Sequence, residues 1–368
     1  MPRLAYLSLE TPIRGQAAFT HTREIIAGLE RLGWEITPYF ATLTGASKGS
    51  SLIARLKNYL TLQIHLMRDL YQYDVVFVRG HFAAFLIALV CHWRGVPIVH
   101  EINGTLDDIG VTYPWARRIL ELLKVLQSYQ YHRATHIFAV TPQLTIWAKR
   151  ESDHERVTTV MNGVNTTLFN DEGARHHASR PYVIFVGGLV KWHGIGTLLK
   201  ALSDPAWPSS IDVMIVGDGI ERHQLETCAH PRLIWMKHQP YDHIPTLIRG
   251  ALAGLVPIES PSGRSDYGVL PLKLFEMMAC GVPVIATDLP AQREIVHEAK
   301  AGLIIPPANP QALARAVAQL SNDQESARVL GHNGAQAARL KHDWNLRAAQ
   351  INDVMQTIIK SRGNDHVT

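Results

Sequence analysis

Glu276 stands in an otherwise apolar stretch, Leu272-Lys-Leu-Phe-Glu276-Met-Met-Ala279, whose side chains cover most of a helix's circumference. A carboxylate in such surroundings needs a hydrogen-bonding partner. Gly281-Val-Pro283 then ends the helix, and Val284-Ile-Ala286 starts a strand. A second group with chemical potential is Gly187-Gly188-Leu-Val-Lys191, directly after the apolar run Tyr182–Val186. Two glycines there let a ligand approach the backbone closely, and Lys191 can reach a diphosphate. Near the N-terminus, a loop with Gly15-Gln16 opens a helix after the first apolar run, which offers N–H groups to an anion. Its spacing is not G-x-G-x-x-G, so a dinucleotide-binding dehydrogenase loses support. His21 falls in the first turn of that helix, where a local hydrogen bond is the plain alternative to a chemical role. Arg79, Glu101 and Asn103 follow strand-like runs, where open parallel sheets gather their ligands. The plain alternative for Glu101 is a structural ion pair with Arg79.

The elements that must position these groups come in two sets of six. Strand-like runs are expected at Leu4–Leu9, Trp34–Tyr39, Val75–Val78, Ile98–Glu101, His136–Val140 and Val157–Met161. A second set follows at Tyr182–Val186, Val213–Val216, Leu233–Met236, Gly254–Pro257, Val284–Ala286 and Gly302–Ile305. Helical stretches alternate with them, which predicts an α/β protein with two Rossmann-like domains built on parallel sheets. Their expected bounds are 1–175 and 176–343, with a linker at Asn170–Pro181 and a terminal helix within 344–368. A chain of 368 residues suits two such domains better than one core.

Bulk properties remove other classes. The small net charge of +4 gives no evidence for nucleic acid, whose binders usually carry a strong basic stripe. Three cysteines, Cys91, Cys228 and Cys280, lack metal-ligand spacing and point to reduced thiols in a cytoplasmic protein. The N-terminus begins with a strand and shows no signal peptide. Phe82–Val90, the longest apolar run, is under roughly 18 residues and too short to span a bilayer. A helix is expected over 51–73, with Ile53, Leu56, Leu60, Ile64, Met67 and Tyr71 along one face and Arg55, Lys57 and Arg68 nearby. Two settings stay open for it: a core-facing helix with a solvated basic face, or a peripheral helix on an anionic membrane.

The segment Ser265-Asp266-Tyr267-Gly268 through Pro271-Leu-Lys-Leu-Phe-Glu276 resembles the signature of family-4 retaining glycosyltransferases, which have the GT-B fold of two facing Rossmann-like domains and a C-terminal crossover helix. In that family the helix glutamate binds the ribose hydroxyls of a nucleotide-sugar donor, a role the resemblance carries onto Glu276. The family often has a second Glu eight positions earlier; here that position is Gly268, with Asp266 close by. The resemblance places Gly15 and Gln16 near the donor phosphates and the acceptor, His21 near the cleft, and Gly187, Gly188, Pro271 and Leu272 at the donor. Family members commonly carry Arg after the first glycine and Lys before the last, positions held here by Gly188 and His193. That leaves Lys191 to supply the phosphate charge, helped by Arg264 or Lys273. Gly217 then lies close to the nucleotide, and His238 and Gln239 where its base commonly sits. Asn103 replaces the usual sugar-side His, so Glu101 and Asn103 are expected on sugar hydroxyls or the acceptor.

The implied function is a retaining, metal-independent hexosyl transfer from a nucleoside-diphosphate sugar to an acceptor hydroxyl, in cell-surface glycan or glycolipid assembly. No separate cofactor is implied. The acceptor is a glycan, a lipid-linked or a small molecule, and the setting is the cytoplasm or the inner face of the plasma membrane. Two alternatives share these features: a non-transferase such as a sugar-nucleotide 2-epimerase, and an inactive sugar-nucleotide-binding protein.

Overall fold

The computed structural model describes residues 1–42, 52–106, 118–259 and 267–365. Its contacts divide the chain into two units: residues 1–14, 18–161 and 345–368, and residues 15–17 and 162–344. The first unit contains strands β1 (Arg3–Ser8), β2 (Glu35–Phe40), β3 (Val75–Arg79), β4 (Ile98–Ile102), β5 (His136–Ala139) and β6 (Val157–Thr159). They form one parallel sheet in the order β2-β1-β3-β4-β5-β6. Helices α1 (Ala17–Arg31), α2 (Leu52–Asp69), α3 (Phe85–Arg94), α4 (Leu120–His132) and α5 (Pro142–Ser152) connect them.

The second unit repeats the plan with β7 (Tyr182–Val186), β8 (Asp212–Val216), β9 (Leu233–Trp235), β10 (Ala253–Val256), β11 (Val284–Thr287) and β12 (Gly302–Ile305), in the order β12-β11-β10-β7-β8-β9. Its helices are α6 (Ile195–Leu202), α7 (His223–Glu226), α8 (Ile244–Arg249), α9 (Leu272–Ala279), α10 (Gln292–Ala299), α11 (Pro310–Asn322) and α12 (Gln324–Lys341). Each expected strand is present, its ends within two residues of the sequence-based bounds. Runs such as Val183-Ile-Phe185 are buried on both faces, as parallel strands covered by helices must be. Start signals act where expected: Thr141 accepts a bond from Leu144 N with Pro142 following, and Asn309 accepts from Ala312 N with Pro310 following.

The stretch 162–181 is tied into the second unit. Thr166 donates to Asp343, and Arg249 donates to the carbonyls of Ala174 and Asn170. Helix α13 (Trp344–Asp365) runs from there into the first unit, where Ala348 packs on Gly28 of α1. Asn345 and Asn352 of α13 accept bonds from Arg31 and Trp34.

Of the two settings left open for the 51–73 helix, the apolar stripe of α2 does not take the core-facing one. Gln63, Leu66 and Leu70 enter the core, while Ile53, Leu56, Leu60 and Ile64 of the apolar stripe are exposed. Among the described residues no helix is long and apolar enough to cross a membrane.

Strand order reverses between β1 and β3 in one sheet, and between β7 and β10 in the other. Loops diverge at such points beyond the strands' carboxyl ends and leave a crevice there. Gly15, Gln16 and His21 follow β1, Gly187, Gly188 and Lys191 follow β7, and Pro271, Lys273 and Glu276 follow β10, whereas Asn103, Gly217 and His238 follow the neighbouring strands β4, β8 and β9.

Candidate active site

In the second unit two glycine turns interlock at the carboxyl ends of β7 and β8. Gly187 has φ +137° and Gly217 φ +142°, and a Cβ on Gly217 would lie 2.0 Å from the Gly187 carbonyl oxygen. Only glycine fits either place. Gly187 N donates to Val216 O at 2.9 Å, and Gly217 N to Lys237 O at 2.7 Å, so the turns are pinned to the sheet. His193 Nδ1 lies 2.5 Å from Gly188 O, folding the Lys191–His193 turn back onto the glycine pair. Lys191 itself is exposed.

Helix α9 brings a cation and a carboxylate to the same place. All eight of its residues are buried, Lys273 and Glu276 included. Lys273 Nζ sits 3.9 Å from the centre of the Phe185 ring, without a hydrogen-bond acceptor, and a Cβ added to Gly187 would come within 2.9 Å of it. Burial pushes its ammonium down to about 7, against a smaller opposing effect of Glu276. Glu276 Oε1 accepts a bond from Tyr241 Oη at 2.8 Å. Burial pushes this carboxyl up to about 7, with Tyr241 and Lys273 opposing. Pro271, extended at ψ 145°, leads into the helix at Leu272, and Asn162 Nδ2 holds the preceding carbonyl of Leu270 at 2.7 Å.

The first unit carries a separate cluster at the carboxyl ends of β3 and β4, buried at His21, Arg79 and Glu101 and exposed at Asn103. Glu101 Oε1 lies 2.5 Å from His21 Nε2, and its Oε2 accepts from Arg79 Nη1 at 3.3 Å and Asn103 Nδ2 at 3.4 Å. Arg79 Nε also donates to Glu10. Burial alone would raise the Glu101 carboxyl, but His21, Arg79 and Asn103 outweigh it and hold it at about 2. Glu101 is thus an ionised hub that fixes His21 and Asn103, with both oxygens engaged. His81 is a cap: its Nδ1 accepts from Ala83 N at 3.1 Å, and burial lowers it to about 4.

Comparison with known proteins settles the class of this architecture. Residues 18–168 match the family model described as Glycosyltransferase Family 4, and residues 169–337 match the model Glycosyl transferases group 1. The chain belongs to glycosyltransferase family 4. An uncharacterized glycosyltransferase of Methanocaldococcus jannaschii is 28% identical over 200 residues, 53% of this chain and 52% of that relative. The alignment therefore spans about half the relative's length. Sucrose-phosphate synthase from Thermosynechococcus elongatus superposes with a TM-score of 0.80 at 18% identity, covering 98% of this chain and 99% of that one. The Anabaena protein HepE in complex with UDP-glucose gives 0.73 at 16% identity, covering 96% and 99%. These likenesses establish the GT-B fold.

In this family-4 glycosyltransferase the structure brings together Gly187, Gly217, Lys273 and Glu276 in one unit, and His21, Glu101 and Asn103 in the other. His238 is exposed just after β9, and Gln239 turns back to donate to Met236 O at 2.6 Å. Gly15 (φ +89°) and the exposed Gln16 form the turn leading into α1. Arg264 and Asp266 lie outside the described residues. Gly268, where the family often has Glu, takes φ +74°, a left-handed conformation that a glutamate would adopt only under strain. Tyr241, Phe185 and Glu10 were not singled out in the sequence. Tyr241 reaches Glu276 from 35 positions away, and nothing in its own neighbourhood signals that contact.

Proposed function

We propose that the chain transfers a hexose from a nucleoside diphosphate to an acceptor hydroxyl with retention of anomeric configuration and without a metal ion. The observation that carries this reading is the buried Lys273 ammonium, without a hydrogen-bond acceptor and set against Gly187. A buried ammonium without a hydrogen-bond acceptor is costly, and a diphosphate would supply one together with its charge. Lys273, Lys191 and the N–H groups at Gly187 and Gly188 receive the diphosphate, and Glu276 accepts the ribose hydroxyls beside it. Gly217, His238 and Gln239 lie toward the base. His21 and Asn103, fixed by Glu101, serve the sugar and the acceptor. HepE, solved with UDP-glucose, supports a donor of this class.

In the reaction the anomeric carbon–phosphate oxygen bond breaks and a bond to the acceptor oxygen forms on the same face. The acceptor's proton passes to the departing diphosphate. Lys273 stabilises the charge that develops on that leaving group. The acceptor is glycan or lipid-linked, in cell-surface glycan or glycolipid assembly on the cytoplasmic side, where α2 contacts anionic membrane.

The test is nucleoside diphosphate release from a panel of donors, with and without acceptors. Release that depends on an acceptor, reduced about 10²-fold or more in Glu276→Ala, is expected. Undiminished turnover in that variant would overturn the assignment.

A further inference from the structure

The second unit holds a cavity at the end of its sheet away from the glycine turns. Pro181, Leu252 and Pro283 stand directly before β7, β10 and β11, and they line a cavity of about 320 Å³ that lies wholly within this unit. Gly187 and Gly217 follow the carboxyl ends of β7 and β8. The cavity and the glycine turns therefore occupy opposite ends of one parallel sheet. Cys280, Gly281 and Val282, just past the end of α9, complete its wall.

The polar lining is cationic. Arg175, Arg249 and Arg328 contribute to it together with His176 and His177, and no lining residue is a carboxylate. His176 is held in place, its N donating to Thr246 O at 3.0 Å and its ring meeting Tyr182 edge-on. Arg249 donates through Nε to Ala174 O at 2.9 Å and through Nη1 to Asn170 O at 3.1 Å. Those carbonyls satisfy hydrogen bonds without cancelling its charge. Arg328 shares its charge with Glu325, and Asp171, the acid beside Gly281, is turned to Arg339. Among the described residues Arg175 and Arg249 have no carboxylate partner. Burial pushes the Cys280 thiol up to about 12, so no thiolate opposes an anion here. Cations gathered around one recess repel each other, and an anion set between them relieves the repulsion. Arginine forks match the oxygens of phosphate and carboxylate groups. The volume lies at the lower end of small-molecule sites, roughly 300–1,000 Å³, which favours a ligand of few carbons over a nucleotide.

We propose that this cavity binds a small dianion, a phosphate monoester or a dicarboxylate on a short carbon chain. Its charged groups meet Arg175, Arg249 and Arg328, and its carbons lie against Leu252, Val282 and Pro283. The site is separate from the one assigned to the nucleotide and does not depend on the donor reading given above. A ligand bound there ties the stretch before β7 to α8 and α12, so occupancy stabilises the second unit by mass action.

The experiment titrates the full chain with glycerol 3-phosphate and with succinate, in chloride buffer of constant ionic strength, and follows bound ligand and melting temperature. Wild type is compared with Arg175→Gln, Arg328→Gln and Lys273→Met. Arg175 and Arg328 are exposed, so their variants should keep the unliganded melting temperature. Wild type should bind saturably, with a rise in melting temperature. Each arginine variant should bind about tenfold more weakly, as loss of one charge-assisted contact implies, and Lys273→Met should bind as wild type does. Binding of glycerol 3-phosphate alone identifies a phosphate ester, of succinate alone a dicarboxylate, and of both the dianion chemistry they share. No saturable binding of either probe, or binding that Arg175→Gln leaves unchanged, would overturn the proposal. Binding lost only in Lys273→Met would also overturn it, by placing the anion at the donor phosphates and leaving the donor reading intact.

Discussion

Lys273 and Glu276 show what it costs to prepare a site for an anion in advance. Each is buried on α9, and burial drives both toward their neutral forms, at about 7 for each. A bound diphosphate favours the charged ammonium, so its affinity is highest where Lys273 is already protonated. Donor binding is then expected to take up one proton and to weaken about tenfold per pH unit from 8 to 9. Calorimetry in buffers of different protonation heat measures both quantities, and Lys273→Met should abolish the uptake. Glu101 has the opposite sign. Its carboxyl is held near 2, so the stability it contributes is complete above the ordinary carboxylate range and is lost as pH falls from about 4.5 toward 2. Glu101→Gln should cost about 3 kcal/mol at pH 7, with little difference from wild type remaining near pH 2, as thermal melts across that range would show. The sequence made Glu276 conspicuous because a carboxylate interrupts an apolar helix. It could not show that Tyr241 caps that carboxylate, since the contact joins a short 3-10 helix, Tyr241–His243, to α9 through tertiary packing alone.

At the scale of elements, the two glycine turns after β7 and β8 do most of the positioning. Gly217→Ala would drive a methyl group into the Gly187 carbonyl and strain φ +142°, and is expected to lower stability by about 2 kcal/mol or more. Denaturant unfolding checks the stability, and the same preparation should show donor affinity lost together with it. The strands were legible because runs such as Tyr182–Val186 are apolar, β-branched or aromatic, and bounded by breakers. The direction in which α2 faces was not. Its stripe through Ile53, Leu56, Leu60 and Ile64 is as apolar as the one through Leu66 and Leu70, and periodicity alone cannot choose between them. Packing of Leu66, Leu70 and the hydrogen-bonded Gln63 against α3 and β3 makes the choice. Gly268 was equally opaque, because a missing acid and a left-handed turn look alike in sequence.

Over the whole molecule, one plan is used twice. Each unit has a six-stranded parallel sheet with a reversal of strand order, and in each the chemically capable residues gather around the carboxyl ends of the central strands. The division of labour is electrostatic. In the first unit His21, Arg79 and Asn103 already satisfy a carboxylate, whereas the second holds an ammonium without an acceptor and therefore ready for an anion. The final helix belongs to this plan as well. Its residues from 345 onward complete the first unit by covering Gly28 and bonding to Arg31 and Trp34.

The measurement that bears most directly on this account is a calorimetric titration of the full chain with nucleoside diphosphates in the presence of EDTA, using wild type and Lys273→Met. Wild type is predicted to bind one of them with divalent cations removed, and the variant to bind it at least about tenfold more weakly while keeping its fold, as loss of a charge-assisted contact implies. Binding that appears only when manganese or magnesium is restored, or equal affinity in the variant, would contradict the claim that a buried lysine holds the diphosphate.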